Sequence, residues 1–225
     1  MRFGIFDVGF LRISRYVATL LSKDAARLPQ KGSPMETLFI AYNDETDSTR
    51  ANHVRKQLLA SGRFLVEGYS PFTSWSKTRN GSSLEDLKTE FNKQLGSASV
   101  TVILIGEDAA TNPWIRYAIE RSYVADKALF ALDISPIPDE HGHTTVPDIN
   151  PLERFAVLEG GKKLYLHHRY PSYTWQETFM DCVDNYLTIA RNSAAESKRS
   201  KTSTTTQQAS HYRNYESMRL GKSMA

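Results

Sequence analysis

Cysteine is almost missing: Cys182 is the only one in 225 residues. One thiol cannot close an internal disulfide, so nothing implies an oxidising compartment. Cys182 falls among apolar residues at helical spacing and reads as buried packing. Long apolar runs are missing too: no stretch approaches the ~20 residues of a membrane span. The N-terminal segment lacks the order of a secretory signal. Asp7 comes early, Arg12 and Arg15 interrupt the apolar run, and no small-residue cleavage site is evident. A cytoplasmic protein with no membrane partner is expected. There is no Walker A or G-x-G-x-x-G pattern, which argues against a nucleoside triphosphatase or a dinucleotide-dependent oxidoreductase. No cysteine or carboxylate spacing completes a metal site around His141-Gly-His143 or His167-His168, so these are expected to be solvated loop histidines. No metal and no bound cofactor are expected.

A single-signed charge is also lacking where it would matter. The net charge is +3, but residues 1–34 and 193–225 each hold six basic and two acidic residues. The stretch 35–192 keeps 16 basic against 21 acidic residues. The globular part is mildly acidic, so the sequence pI of 8.9 does not indicate a nucleic-acid-binding fold.

Strand and helix patterns alternate along that stretch. Residues 10–28 have the spacing of an amphipathic helix, ended by the Pro29–Pro34 loop. Met35 stands just before the first strand, so 1–34 is either an extension upstream of a start at Met35 or a helix that packs on the domain or a partner. Leu38–Tyr42 reads as a buried strand. Asp47 is a candidate cap for a helix running to about Ser61, with Gly62 as its stop. Phe64–Gly68 is a weaker strand. Ser82-x-x-Glu85 is a capping box opening a helix with Leu84, Leu87, Phe91 and Leu95 on one face. Val100–Ile105 is the most apolar strand, and Pro113-Trp114 opens the next helix. Ala128–Ile134 is a strand, 135–152 a long loop, and Leu164–Leu166 a short last strand. Thr174-x-x-Glu177 reads as the cap of a final helix with Trp175, Phe179, Cys182, Val183 and Tyr186 inward.

This alternation predicts an α/β, flavodoxin-like open sandwich: a mostly parallel sheet of about five strands with helices on both faces. The expected organisation is an N-terminal helical extension over 1–34, one domain over 35–192, and a disordered basic Ser/Thr-rich tail over 193–225.

Several segments carry a resemblance. Phe39-Ile-Ala-Tyr42 looks like the opening box of TIR domains. Arg50-Ala-Asn52-His-Val54-Arg55, Trp75 in Thr73-Ser-Trp-Ser76, Ser99–Gly106 with Trp114–Ile119, and Asn150-Pro151 follow in order. Together they resemble the TIR-like domain of the Thoeris antiphage sensor family (ThsB type). The resemblance covers about residues 37–190 and implies a TIR-like fold. It also implies NAD+ as substrate, cleaved at the nicotinamide–ribose bond to give a cyclic or modified ADP-ribose signal. The implied partners are NAD+ or an ADP-ribose-derived nucleotide, other TIR domains, a signal-activated effector and a phage component as trigger.

The bond is glycosidic and breaks through an oxocarbenium-like transition state. One carboxylate beside the ribose can stabilise the developing cation. The family carries that glutamate four residues after the tryptophan, where this chain has Ala118. Cleavage is therefore expected to be lost or very weak, whether Ala118 is natural or engineered. Glu107 and Asp108, just past the glycine that ends the strand, are rescue candidates. Glu120 lies about 200° around the helix from Ala118 and reads as a solvated residue or an Arg116 partner. Tyr42, Asn43, Gly106, Trp114, Tyr117 and Trp75 are the expected substrate-binding residues, with Ala118 sharing the pocket-facing side of the helix. Two alternatives stay open: a non-catalytic TIR scaffold or nucleotide-binding module, and a nucleoside ribosyltransferase-like enzyme whose carboxylate pair is not placed.

Overall fold

A computed structural model describes residues 35–68, 84–159 and 162–203. The expected helix over 10–28, Trp75, Ser82 and residues 204–225 lie outside the described residues. In chain order the elements are β1 (Glu36–Ala41), α1 (Asp44–Ala60), β2 (Phe64–Glu67), α2 (Leu84–Ser97), β3 (Val100–Ile105), α3 (Pro113–Val124), β4 (Ala128–Asp133), β5 (Ala156–Glu159), β6 (Lys162–Tyr165), β7 (Ser172–Thr174) and α4 (Phe179–Ser203). Short 3₁₀ turns occupy Pro151–Arg154 and Leu166–His168.

The apolar run of β3 is buried at all six positions. It lies at the centre of a five-stranded sheet of order β2-β1-β3-β4-β7, parallel at every pairing. Such a strand needs apolar side chains on both faces, because helices cover each side. Right-handed crossovers put α1 on one face and α2 and α3 on the other. The α2–α3 seam is aromatic: Phe91 stacks on Trp114 at 5.7 Å and meets Tyr117 edge-on at 5.2 Å. Helix α4 returns to the face of α1, where Arg63 bridges Asp184 at 2.7 Å and His53 meets Trp175 edge-on at 5.3 Å. The expected flavodoxin-like α/β architecture is the one observed.

The C-terminal third departs from expectation. Residues 162–165 do not form the last strand of the main sheet. They pair antiparallel with β5 in a separate hairpin, and β7, only three residues long, fills the edge beside β4. A three-residue strand is too short to show an alternation. Thr174 belongs to β7, and α4 starts five residues later, at Phe179, so the expected cap at Thr174 is not used. Cys182 is half-buried, not a core residue. The tail expected from residue 193 begins later, because α4 continues to Ser203. Ala194 and Ser197 are buried, and Lys201 donates to the Tyr123 carbonyl, pairs with Asp126 at 2.8 Å and lies 3.6 Å over the Tyr123 ring. The polar composition of 193–203 concealed a stripe at helical spacing that continues from Val183, Leu187 and Ala190.

A chain ending at residue 192 should therefore melt below one ending at 203. Burial of Ala194 and Ser197 with the Lys201 contacts is worth about 1–2 kcal/mol. For a domain of this size that is about 2–8 °C. Coincident calorimetric midpoints for the two chains would show that this last part of α4 adds no stability.

Candidate functional site

Strand β1 is followed by a neighbour on one side, β2, and then by one on the other, β3. The carboxyl ends of β1 and β3 therefore form a topological switch point, where open α/β sheets place ligands. Two helices also begin there. Asn43 caps α1, its side-chain oxygen accepting from Glu45 N at 3.4 Å. Asn112 caps α3, accepting from Trp114 N at 2.9 Å and Ile115 N at 3.2 Å. The two caps are joined, since Asn112 Nδ2 donates to Asn43 Oδ1 at 3.1 Å, and Asn43 Nδ2 donates to the Glu107 carbonyl at 3.3 Å. Thr46 Oγ1 donates to the same carbonyl at 3.3 Å.

Asp47 is not the cap that its position before an apolar pattern suggests. It lies in the first turn of α1, fully buried, with its carboxylate against the end of β3. A Cβ at Gly106 would stand 2.1 Å from Asp47 Oδ1, so any side chain there would force the carboxylate to move. The Glu107 amide and the Thr46 hydroxyl donate to this carboxylate, and Arg50 Nη1 lies 3.4 Å from it. Burial nevertheless dominates and pushes Asp47 up to about 6. Arg50, 4% exposed, also donates to the carbonyls of Ile137 at 2.9 Å and His143 at 3.0 Å. It thereby holds the loop after β4. In that loop Asp139 accepts from the amides of His141 and His143, and these bonds keep its carboxyl below the ordinary range. His141 and His143 are exposed, and among the described residues no group of three or more His, Cys, Asp or Glu could hold a metal ion.

The expected site residues divide. Asn43, Gly106 and Glu107 come together at the switch point. Tyr42 is buried at 5% exposure, and Gly106 is covered by Asp47. Trp114 and Tyr117 face α2, where Tyr117 Oη and Asn92 share hydrogen bonds at 2.9 and 3.2 Å. Ala118 does not share their side of the helix. It is 0% exposed and lines up with Ile115, Ile119 and Ser122 at i, i+3, i+4 spacing on the face packed into the core. That face is wider than the two isoleucines alone suggest, because small residues are recruited where the helix lies close to the sheet. Glu107 is exposed, with its backbone, rather than its carboxylate, engaged by α1. Glu120 is half-buried between the charges of Arg116 and Arg121, and partial burial raises its carboxyl.

Asp47, Arg50 and Asn112 belong to the site but escaped the sequence reading. Their signals were a polar pair three residues apart inside a helix and an asparagine directly before Pro113.

Residues 39–136 match the family model described as Thoeris protein ThsB, TIR-like domain. Over that span the chain is similar to the TIR-like domain of the ThsB family. The matched span runs from β1 through β4 and includes both asparagine caps, Asp47, Gly106 and Ala118. A relative from Bacillus cereus (strain MSX-D12), named "Putative cyclic ADP-D-ribose synthase ThsB1", is 26% identical over 138 residues. Those residues are 60% of this chain and 70% of the relative. Among the described residues, no helix is long and apolar enough to cross a membrane.

Two outcomes follow from the Asp47–Gly106 contact. Gly106→Ala should cost about 1–3 kcal/mol of stability through overpacking, seen as a lower urea midpoint. The second outcome concerns pH. With Asp47 near 6 folded and near 3.8 in the unfolded chain, the folded state binds this proton more tightly. The associated stability is complete below about 4 and is lost as pH rises through about 6. The difference between 3.8 and about 6 corresponds to about 3 kcal/mol. Asp47→Asn has no proton to lose, so its urea midpoint should fall less than that of the parent between pH 4 and 6.5. Parallel profiles would mean that Asp47 stays ionised throughout.

Proposed function

We propose that the protein is a cytoplasmic TIR-like component of Thoeris-type antiphage defence. It engages NAD+ or an ADP-ribose-derived nucleotide at the carboxyl edge of β1 and β3, and its own cleavage of NAD+ is absent or very weak. One observation carries this: Ala118, with no carboxylate, stands four residues after Trp114 in a span that matches the family model.

The geometry around Ala118 supports a site from which the reactive group is missing. Side chains on a helix lean toward its N-terminus. A glutamate at 118, rooted in the buried stripe of α3, would therefore run toward Asn112 and Asn43, not out into solvent. The N-termini of α1 and α3 converge there, and such ends favour negative charge, as a nucleotide diphosphate provides. Loss of nicotinamide from NAD+ turns a cationic ring into a neutral leaving group, so no general acid is required. The outstanding need is a carboxylate facing the developing ribosyl cation. The name of the Bacillus relative supports a cyclic ADP-ribose product for an active form. The nucleotide signal would act on a partner effector, other TIR domains would assemble with this one, and a phage component would be the trigger. The full burial of Ala118 favours a second reading, in which the domain only binds.

NAD+ consumption followed by chromatography tests this. The parent protein should show no turnover above background, and Ala118→Glu should raise it by at least about 10²-fold, the usual worth of a group aimed at developing charge. Glu120→Gln should change nothing. If the parent consumes NAD+ and Glu107→Gln abolishes that activity, the catalytic carboxylate is in the loop after β3. If Ala118→Glu folds with a parental melting curve but stays inactive with the phage trigger and partner proteins present, the binding-only reading replaces the enzymatic one.

A further inference from the structure

The loop between β3 and α3 borders the switch point, and it is held from outside itself. Asp108 within it has φ of 56°, a left-handed conformation uncommon for residues with a side chain. Such a conformation persists where neighbours over-determine it. On one side Asp148, from the loop after β4, donates its amide to the Gly106 carbonyl at 3.1 Å and accepts from the Ala110 amide at 2.8 Å. On the other side Asn43 and Thr46 of α1 and its cap both donate to the Glu107 carbonyl at 3.3 Å.

Asn112 ends this loop, and its side chain does more than a cap requires. Capping needs only an oxygen, and Oδ1 supplies it to the amides of Trp114 and Ile115. Its Nδ2 donates to Asn43 Oδ1 at 3.1 Å. Asn43 is 7% exposed. Its Oδ1 also accepts from Glu45 N, and its Nδ2 returns to the Glu107 carbonyl. The bonds close a ring, because the Asn112 amide is tied back to the Asp108 carbonyl at 3.2 Å. Turning over either side-chain amide would set oxygen against oxygen and N–H against N–H. Serine and aspartate cap helices as well as asparagine does, but neither carries an N–H donor of that reach.

We infer that Asn112 is a positioning residue for nucleotide engagement: through its bond to Asn43 it holds the loop after β3 and the starts of α1 and α3 in one arrangement before the nucleotide arrives. This rests on the reading of the switch point as a nucleotide site. It adds that affinity there depends on a bond between two helix caps, which the ligand need not touch. A site ordered in advance loses less binding free energy to the ordering of its own groups.

ADP-ribose titrated into the full chain by calorimetry tests the inference. Asn112→Ser keeps a capping oxygen and adds no charge to repel phosphates, but is too short to reach Asn43. It should weaken binding by about tenfold or more, the scale of one lost hydrogen bond. Its melting midpoint should stay within about 5 °C of the parent. NMR without ligand gives a second readout: the Asn43 side-chain amide protons should exchange with water several-fold faster in Asn112→Ser. Asn43→Ser should weaken binding similarly. The double variant should bind no more weakly than the weaker single one, because both changes remove the same bond. Parental affinity in Asn112→Ser overturns the inference, as does an unchanged Asn43 amide signal. Losses that add in the double variant also overturn it, since the caps then act independently. A midpoint lowered by about 10 °C or more reduces Asn112 to a stability role and has the same consequence. If the parent itself fails to bind ADP-ribose, the nucleotide reading falls with this inference; each of the other outcomes leaves that reading standing.

Discussion

The contact between the Asp47 carboxylate and Gly106 is the constraint on which the carboxyl edge of the sheet, and with it the candidate site, depends. It sets α1 against the end of β3, and a side chain at 106 would displace the carboxylate. Arg50 extends the constraint, joining Asp47 to the Ile137 and His143 carbonyls in the loop after β4. A buried ion pair of this kind adds little net stability, because desolvation of both charges offsets their attraction. Its value lies in specifying geometry. A shifted loop would strand a guanidinium and two carbonyls away from water, and each loss would be costly. Three loop segments, after β1, β3 and β4, are thereby held in one arrangement.

Helix α3 divides its work by face. Trp114 and Tyr117 close the seam with α2, where Phe91 also meets Phe39 of β1 at 5.0 Å. Ala118 and Ser122 lie close to the sheet, and the Ser122 hydroxyl is 2.7 Å from that of Thr101 on β3. Small residues on this face let the helix backbone come near the strands. The joined asparagine caps then matter twice: they satisfy the first amides of two helices, and they bring both electropositive ends to one place.

Much of the domain is legible in the sequence. β3 was evident because six consecutive apolar residues bounded by Ser99 and Gly106 have few other destinations. α3 was evident because Pro113 marks a first turn and Ile115 and Ile119 mark a buried side. The ThsB resemblance rested on short motifs in order, and the family match over residues 39–136 agrees with it. Other features were hidden for physical reasons. β7 is three residues long and exists only because β4 offers it an edge. Ser193, Ser197 and Lys201 look like tail residues, yet they continue the buried stripe of α4. Asp47 looked like a cap because aspartate before an apolar pattern usually is one, but Asn43 and the helix start at Asp44 place it inside the first turn.

By itself, then, the sequence determined the alternation of strand and helix, the central position of β3 and the acidic character of the domain. These are properties of composition and local period, which a chain carries wherever it folds. The tertiary structure decided which polar residues became buried neighbours. Asp47 and Gly106 are 59 positions apart, Arg50 and Ile137 are 87 apart, and His53 and Trp175 meet from opposite ends of the domain. No local pattern encodes such pairs, because their environment is set by desolvation and packing between elements that are only brought together when the parallel sheet assembles.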